Sequence, residues 1–160
     1  MSRPVVKVQV LALAAADGGV ALFLGNEQKA FVMRVDASVG AAITLFLHRT
    51  PKARARTHDL IANVLGALGA KVEKVIINDL KGKAYFARLV LSVEKELTAA
   101  KRLLELDARP SNGVALALQQ GAPLYVSLEV WERVEDVAQA LRALQAEGPP
   151  RPERDESEGP

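Results

Sequence analysis

The stretch KVEKVIINDLKGKAYFARLVLSV, Lys71 to Val93, decides the fold. Two runs rich in β-branched and aromatic residues flank Lys81–Gly82, and a glycine-bearing pair between such runs reads as a two-residue hairpin turn. In the second run Tyr85, Ala87, Leu89 and Leu91 share one face, opposite Phe86, Arg88 and Val90. That period of two is the mark of a strand. An antiparallel hairpin therefore sits in the middle of the chain, and the elements around it have to pack on it.

Working outward, Val6, Val8 and Val10 alternate with Lys7 and Gln9, which predicts a strand with one wet side. VALFLG and KAFVMRV supply two more strands around Asn26–Gln28. A helix begins near Asp36 or Ser38, both suitable caps, and a basic loop covers 49–56. A second helix opens with Thr57 as N-cap, carries Asp59 in its first turn and stops at Gly69. Leu60, Ile61, Val64, Leu65 and Leu68 mark its apolar face. Downstream of the hairpin, Ser92 to Lys101 reads as a hairpin excursion or a loop, and Leu103–Leu106 as a short strand. A helix over about 110–120 carries Val114, Ala117 and Leu118, then ends at Gly121 before the strand PLYVS. A last helix, about 132–146, bears a stripe of Val134, Val137, Ala138, Leu141 and Leu144 that covers the sheet or another subunit.

Strands in pairs followed by single helices predict an α+β domain with a mixed, largely antiparallel sheet, packed helices and a possible internal duplication. The expected domain spans 1–147, with its core over about 5–127, followed by a disordered proline- and charge-rich tail over 148–160. With 49% apolar and 25% charged residues in 160, the composition is that of one soluble globular domain. The absence of cysteine excludes disulfides, thiolate nucleophiles and cysteine-ligated zinc. No membrane-length apolar run and no signal-peptide layout are present, so the expected location is the cytoplasm and no membrane partner is expected. The net charge is +2; the tail holds two Arg against four acidic residues, −2, so the body carries +4. That mild excess permits contact with nucleic acid without requiring it.

With only His48 and His58 there is no HExxH site, and no GxxxxGK[ST] or GxGxxG nucleotide cradle exists. Two polar clusters remain. In RARTHDL, Arg54, Arg56 and His58 stand beside a helix N-terminus, whose free N–H groups favour anions. In LDARPSNG, Pro110 suits the first helical position, Ser111 or Asn112 can satisfy free amides, and Asp107 can pair with Arg109. Each cluster also reads as nothing more than a helix cap with a solvated charged loop.

Taken together and in order, these blocks resemble the bifunctional nuclease domain family, over about Val5 to Ser127. The family's Arg-Pro-x-Thr-His-Asp-Leu block is matched by Arg54, Thr57, His58, Asp59 and Leu60, and its aromatic hairpin end by Tyr85, Phe86 and Ala87. Its Asp-x-Arg-Pro-Ser-Asp-Ala block is matched by Asp107, Arg109, Pro110 and Ser111 before Gly121, Ala122 and Pro123. Asn112, Gly113, Val39 and Ala55 stand where the family usually has Asp, Ala, Glu and Pro. The resemblance implies an α+β fold with internal duplication, self-association as a dimer or larger homo-oligomer, and nuclease activity on DNA and RNA.

Under that reading Asp59 and Asp107 hold Mg²⁺ or Mn²⁺, with Asn112 as a neutral ligand, because divalent ions on phosphates are held by oxygen ligands. His58 serves as general acid or base, and Arg54 and Arg109 clamp phosphate oxygens beside Ser111 and Asn112. This requires the two helix mouths to meet. Losing the carboxylates at 39 and 112 favours the rival reading, a non-catalytic oligomeric module that keeps the family fold.

Overall fold

The computed structural model describes residues 3–49, 56–94 and 101–147. Arg54, most of the basic loop, the 95–100 part of the excursion and the 148–160 tail lie outside the described residues.

The chain runs β1 (Val5–Ala16), β2 (Gly19–Gly25), β3 (Ala30–Val35), α1 (Ala37–His48), α2 (Arg56–Ala67), β4 (Ala70–Lys81) and β5 (Ala84–Glu94). It continues through β6 (Lys101–Ala108), α3 (Pro110–Gln120), β7 (Leu124–Ser127), α4 (Leu128–Arg133) and α5 (Ala138–Glu147). The strands form one seven-stranded sheet in the order β3-β2-β1-β7-β4-β5-β6. All neighbours pair antiparallel except β7 with β4. The fold is α+β, with a mixed and mostly antiparallel sheet.

The order of elements makes the duplication visible. Three strands and a helix occur twice, β1-β2-β3-α1 and β4-β5-β6-α3, and the two triplets lie on either side of β7. Because β7 is antiparallel to β1 and parallel to β4, the triplets run in opposite directions, as a two-fold relation requires. The helices follow the same scheme. Val35-Asp36-Ala37-Ser38-Val39-Gly40 enters α1 and Ala108-Arg109-Pro110-Ser111-Asn112-Gly113 enters α3, so a Ser-x-Gly stands in both first turns.

Those glycines let the helices lie close on the sheet. A Cβ on Gly40 would sit 2.7 Å from Val20 Cγ2, and one on Gly113 would sit 2.8 Å from Val75 Cγ1. Val75 is fully buried and cannot swing away. Gly113→Ala is therefore expected to destabilise, since overpacking costs about 1–3 kcal/mol against the ~1 kcal/mol returned by removing a helical glycine. Urea unfolding of Gly113→Ala, with and without Val75→Ala, checks this: the valine truncation should cost less in the alanine background than in the wild type.

Val6, Val8 and Val10 face the main core as their alternation predicts. A bulge at Leu11 then breaks the period, so that Leu11 and Ala12 both face a second, smaller cluster around Phe23, Ala30 and Leu141. The hairpin turn falls one residue later than the sequence suggests. Lys81 pairs with Ala84, which leaves Gly82–Lys83 as the turn, with Gly82 at φ +61°. Glycine takes that backbone region at the least cost, so the turn centres where the glycine leads. Asp36 is the N-cap of α1, and Thr57 lies inside α2, whose first residue is Arg56. The strand over Leu103–Leu106 extends to eight residues.

The single last helix is corrected to two. Ser127 Oγ caps α4 by accepting from Val130 N–H at 3.3 Å, and Val134 at its end has extended backbone. Asp136 Oδ1 then accepts from Ala138 N–H at 3.0 Å to open α5, and from Ala30 N–H at 3.2 Å. Val137 N–H donates to Ala30 O at 2.8 Å. Two caps and a tie to β3 outweigh the apolar period, and Leu141 seats against the sheet while Leu144 stays exposed. No helix among the described residues is long and apolar enough to cross a membrane.

Candidate functional site

The two matching strand-to-helix turns open on one cleft of about 740 Å³. Its walls are the ends of β3 and β6, the mouths of α1 and α3, and the start of β5 beyond the hairpin turn. Five charged residues line it: Arg34, Lys83 and Arg109, against Asp36 and Asp107. A curled sheet makes this possible, since Phe31 on β3 meets Tyr85 on β5 at 5.8 Å between rings, although two strands of one triplet, β7 and β4 separate them in the sheet.

Asp36 is committed to its helix. Its Oδ1 accepts from Ser38 Oγ at 2.7 Å and Val39 N–H at 3.0 Å. The Ser38 hydroxyl foremost, then the Val39 amide and more weakly the charge of Arg109, hold its carboxyl below the usual carboxylate range, while partial desolvation opposes them. The folded pKa lies below the unfolded one, so the cap contributes stability above about pH 3.9 and loses it as pH falls through the folded value. Asp36→Ala should therefore lower the unfolding midpoint at neutral pH, with the gap to wild type closing under strong acid; a gap that persists unchanged there would count against the cap.

The mouth of α3 is built differently. Arg109 is the N-cap, its side chain makes no capping bond, and Pro110 in the first turn has no N–H to satisfy. Arg109, Pro110 and Ser111 line the cleft at this helix mouth. Asp107 pairs with Arg88 at 3.0 Å, where the sequence suggested Arg109. The register explains this: Asp107 stands directly across from Arg88 on β5. The Asp107 side chain is 87% exposed, and an exposed pair of this kind is worth only about 0–1 kcal/mol. Its carboxylate can be drawn away by a cation at little cost.

The other predicted cluster lies behind this wall. His58 is buried at 6% exposure, its ring edge-on to Phe46 of α1 at 6.0 Å. His58 Nε2 and Asn112 Oδ1 are 3.1 Å apart; the amide oxygen can only accept, so the ring proton sits on Nε2. Asp59 Oδ1 accepts from Gln119 Nε2 at 2.8 Å. His58 and Asp59 thus fasten α2 to the two ends of α3, and neither lines the cleft. The clusters meet at one point, Asn112, whose neighbour Ser111 faces the cleft.

Arg34, Lys83 and Arg88 were not among the residues singled out from sequence, and Asp36 was read only as a cap. The Ser-x-Gly repeat was the available signal for Asp36. Nothing local marks the other three, which reach the site through sheet curvature and register.

As to a divalent ion, no group of three or more His, Asp or Glu gathers among the described residues, so a closed protein cage is not formed. An ion of the Mg²⁺ kind keeps waters and takes one or two carboxylates beside substrate phosphates. Of the two acidic residues that line the cleft, Asp36 is engaged in its cap and Asp107 only in the exposed pair with Arg88.

Residues 21–139 match the bifunctional nuclease domain. The chain belongs to the bifunctional nuclease domain family. Two uncharacterized proteins of Mycobacterium tuberculosis, MT1877 of strain CDC 1551 / Oshkosh and Rv1829 of strain ATCC 25618 / H37Rv, are each 36% identical over 92 residues. The alignments cover 58% of this chain and 51% of each relative, so the chain spans about half the length of those proteins. In this bifunctional nuclease domain the family match takes in both strand-to-helix turns, the hairpin and the cleft between them.

Proposed function

We propose that the domain hydrolyses phosphodiester bonds of DNA or RNA in the cleft between the mouths of α1 and α3. The observation that carries this reading is an exposed carboxylate, Asp107, set among Arg34, Lys83 and Arg109 where a helix N-terminus opens. Arg109 and the N-terminus of α3 bind the scissile phosphate, because both oppose its charge and the Arg109 side chain makes no capping bond. Asp107, with phosphate oxygens and waters completing the shell, would hold Mg²⁺ or Mn²⁺; the bound ion would neutralise developing charge and acidify a water. Ser111 faces the phosphate as a hydroxyl donor.

His58 acts through Asn112 as a positioning residue, fixing the amide that follows Ser111. The ion is assigned to Asp107, since Asp59 is engaged by Gln119 and Asp36 by Ser38 and Val39. Arg54 is left as a further phosphate ligand from the basic loop.

The test is cleavage of end-labelled single- and double-stranded DNA and RNA with Mg²⁺, with Mn²⁺ and with chelator. Cleavage only with a divalent ion is expected. Cleavage undiminished in chelator would remove the ion from the proposal.

One observation favours the rival oligomeric module. Ile61 and Leu65 of α2 pack on the core, but Leu60, Val64 and Leu68 are 62%, 50% and 70% exposed, a stripe at helical spacing. Sedimentation of the wild type against Val64→Glu reads whether self-association uses that stripe.

A further inference from the structure

We infer that the substrate enters as a single strand and runs through a groove longer than the reaction cleft, with a base stacked on Phe86. This rests on the nucleic-acid reading above and extends it to the form of substrate and the residues that select it.

A second cavity, about 560 Å³, adjoins the first, and the two share Arg34, Lys83 and Tyr85 in their walls. The joined groove leads from Arg109 at the α3 mouth, past Lys83 and Arg34, to Arg133 at the end of α4. None of these four cations takes part in an ion pair among the described residues. The acidic residues of the groove lie at its ends, Asp36 and Asp107 at one and Glu135 at the other. The middle is therefore cationic, and suits a phosphate backbone passing through.

One exposed aromatic residue stands beside that track. Phe86 lines the first cavity and is 45% exposed, with Lys81 Nζ 5.5 Å from its ring centroid. Tyr85, on the opposite face of β5, is backed by Phe31. An exposed ring beside a line of cations is the arrangement that stacks unpaired bases, because the base faces of a duplex are already covered by their neighbours. Each cavity has the size of a small-ligand pocket, about 300–1,000 Å³, which admits nucleotides one after another and not a duplex.

The test measures binding by anisotropy in chelator, so that nothing is cut, using a labelled oligothymidylate of about twelve nucleotides and a duplex of equal length. The single strand should bind at least about tenfold tighter than the duplex. Phe86→Ala should weaken single-strand binding by about tenfold with an unchanged salt slope, and Phe86→Trp should keep it. Arg133→Ala should lower the salt slope by about 0.7, the loss of one phosphate contact on a single strand. Equal affinity for the duplex, or no effect of Phe86→Ala in a variant whose melting temperature is unchanged, overturns the inference. Single-strand binding without cleavage under any metal leaves it standing and removes only the hydrolytic reading. Cleavage that ignores Phe86 does the reverse, and no binding to either form removes both.

Discussion

Asp107→Ala should abolish divalent-dependent cleavage while leaving the fold intact. The carboxylate is almost wholly in solvent, and its pairing with Arg88 is an exposed one, so its removal should change stability by less than about 0.5–1 kcal/mol. Its proposed role as an ion ligand is a different matter, because losing several kcal/mol of transition-state stabilisation lowers the rate by about 10²–10³-fold. Asp107→Asn, which keeps the shape, should be nearly as inactive. Arg88→Ala supplies the control. It breaks the same pair but keeps the carboxylate, so activity should survive. If Asp107→Ala and Arg88→Ala behave alike, Asp107 serves the sheet and not the chemistry, and the oligomeric module becomes the better account.

The largest effect on stability is expected at Phe31. Its ring is 1% exposed, 5.8 Å from Tyr85 and 6.2 Å from Trp131, with the latter edge-on at 83°. Phe31→Ala should cost about 3–5 kcal/mol, a large share of the ~5–15 kcal/mol that holds a domain folded. Phe31→Leu, which fills much of the space, should cost markedly less. Urea titration gives the numbers, and near-ultraviolet circular dichroism of Trp131 reports whether the aromatic contact is gone. Because Phe31 also supports Tyr85 in the groove, Phe31→Leu should weaken single-strand binding more than its stability loss explains. A cost below about 1 kcal/mol for Phe31→Ala would mean the sheet does not close at that contact.

The bifunctional nuclease family was legible from the blocks around His58, Tyr85 and Asp107, and so were most strands and the helix over 110–120. The site was legible only in part. Asp107, Arg109 and Ser111 line the cleft, and Asn112 joins them to His58, as a polar cluster at a helix mouth suggested. Asp59 gave no hint that it would turn to Gln119, sixty residues on along the chain. The stripe on α2 misled for a related reason: apolar spacing shows that a face exists, not how much partner surface lies ready to cover it. Only Ile61 and Leu65 find that surface.

What the sequence determined by itself was local. Alternation in β1 and β5, the glycine at Gly82 and the cap at Asp36 act within a few residues, so their signals can be read in place. The tertiary structure decided what meets what. Pairing register set Asp107 against Arg88, the curl of the sheet brought β3 to β5, and the ties from Asp136 and Val137 to Ala30 broke the last helix in two. These choices are made between residues distant in the chain, where many pairings would satisfy the same local pattern and packing selects one.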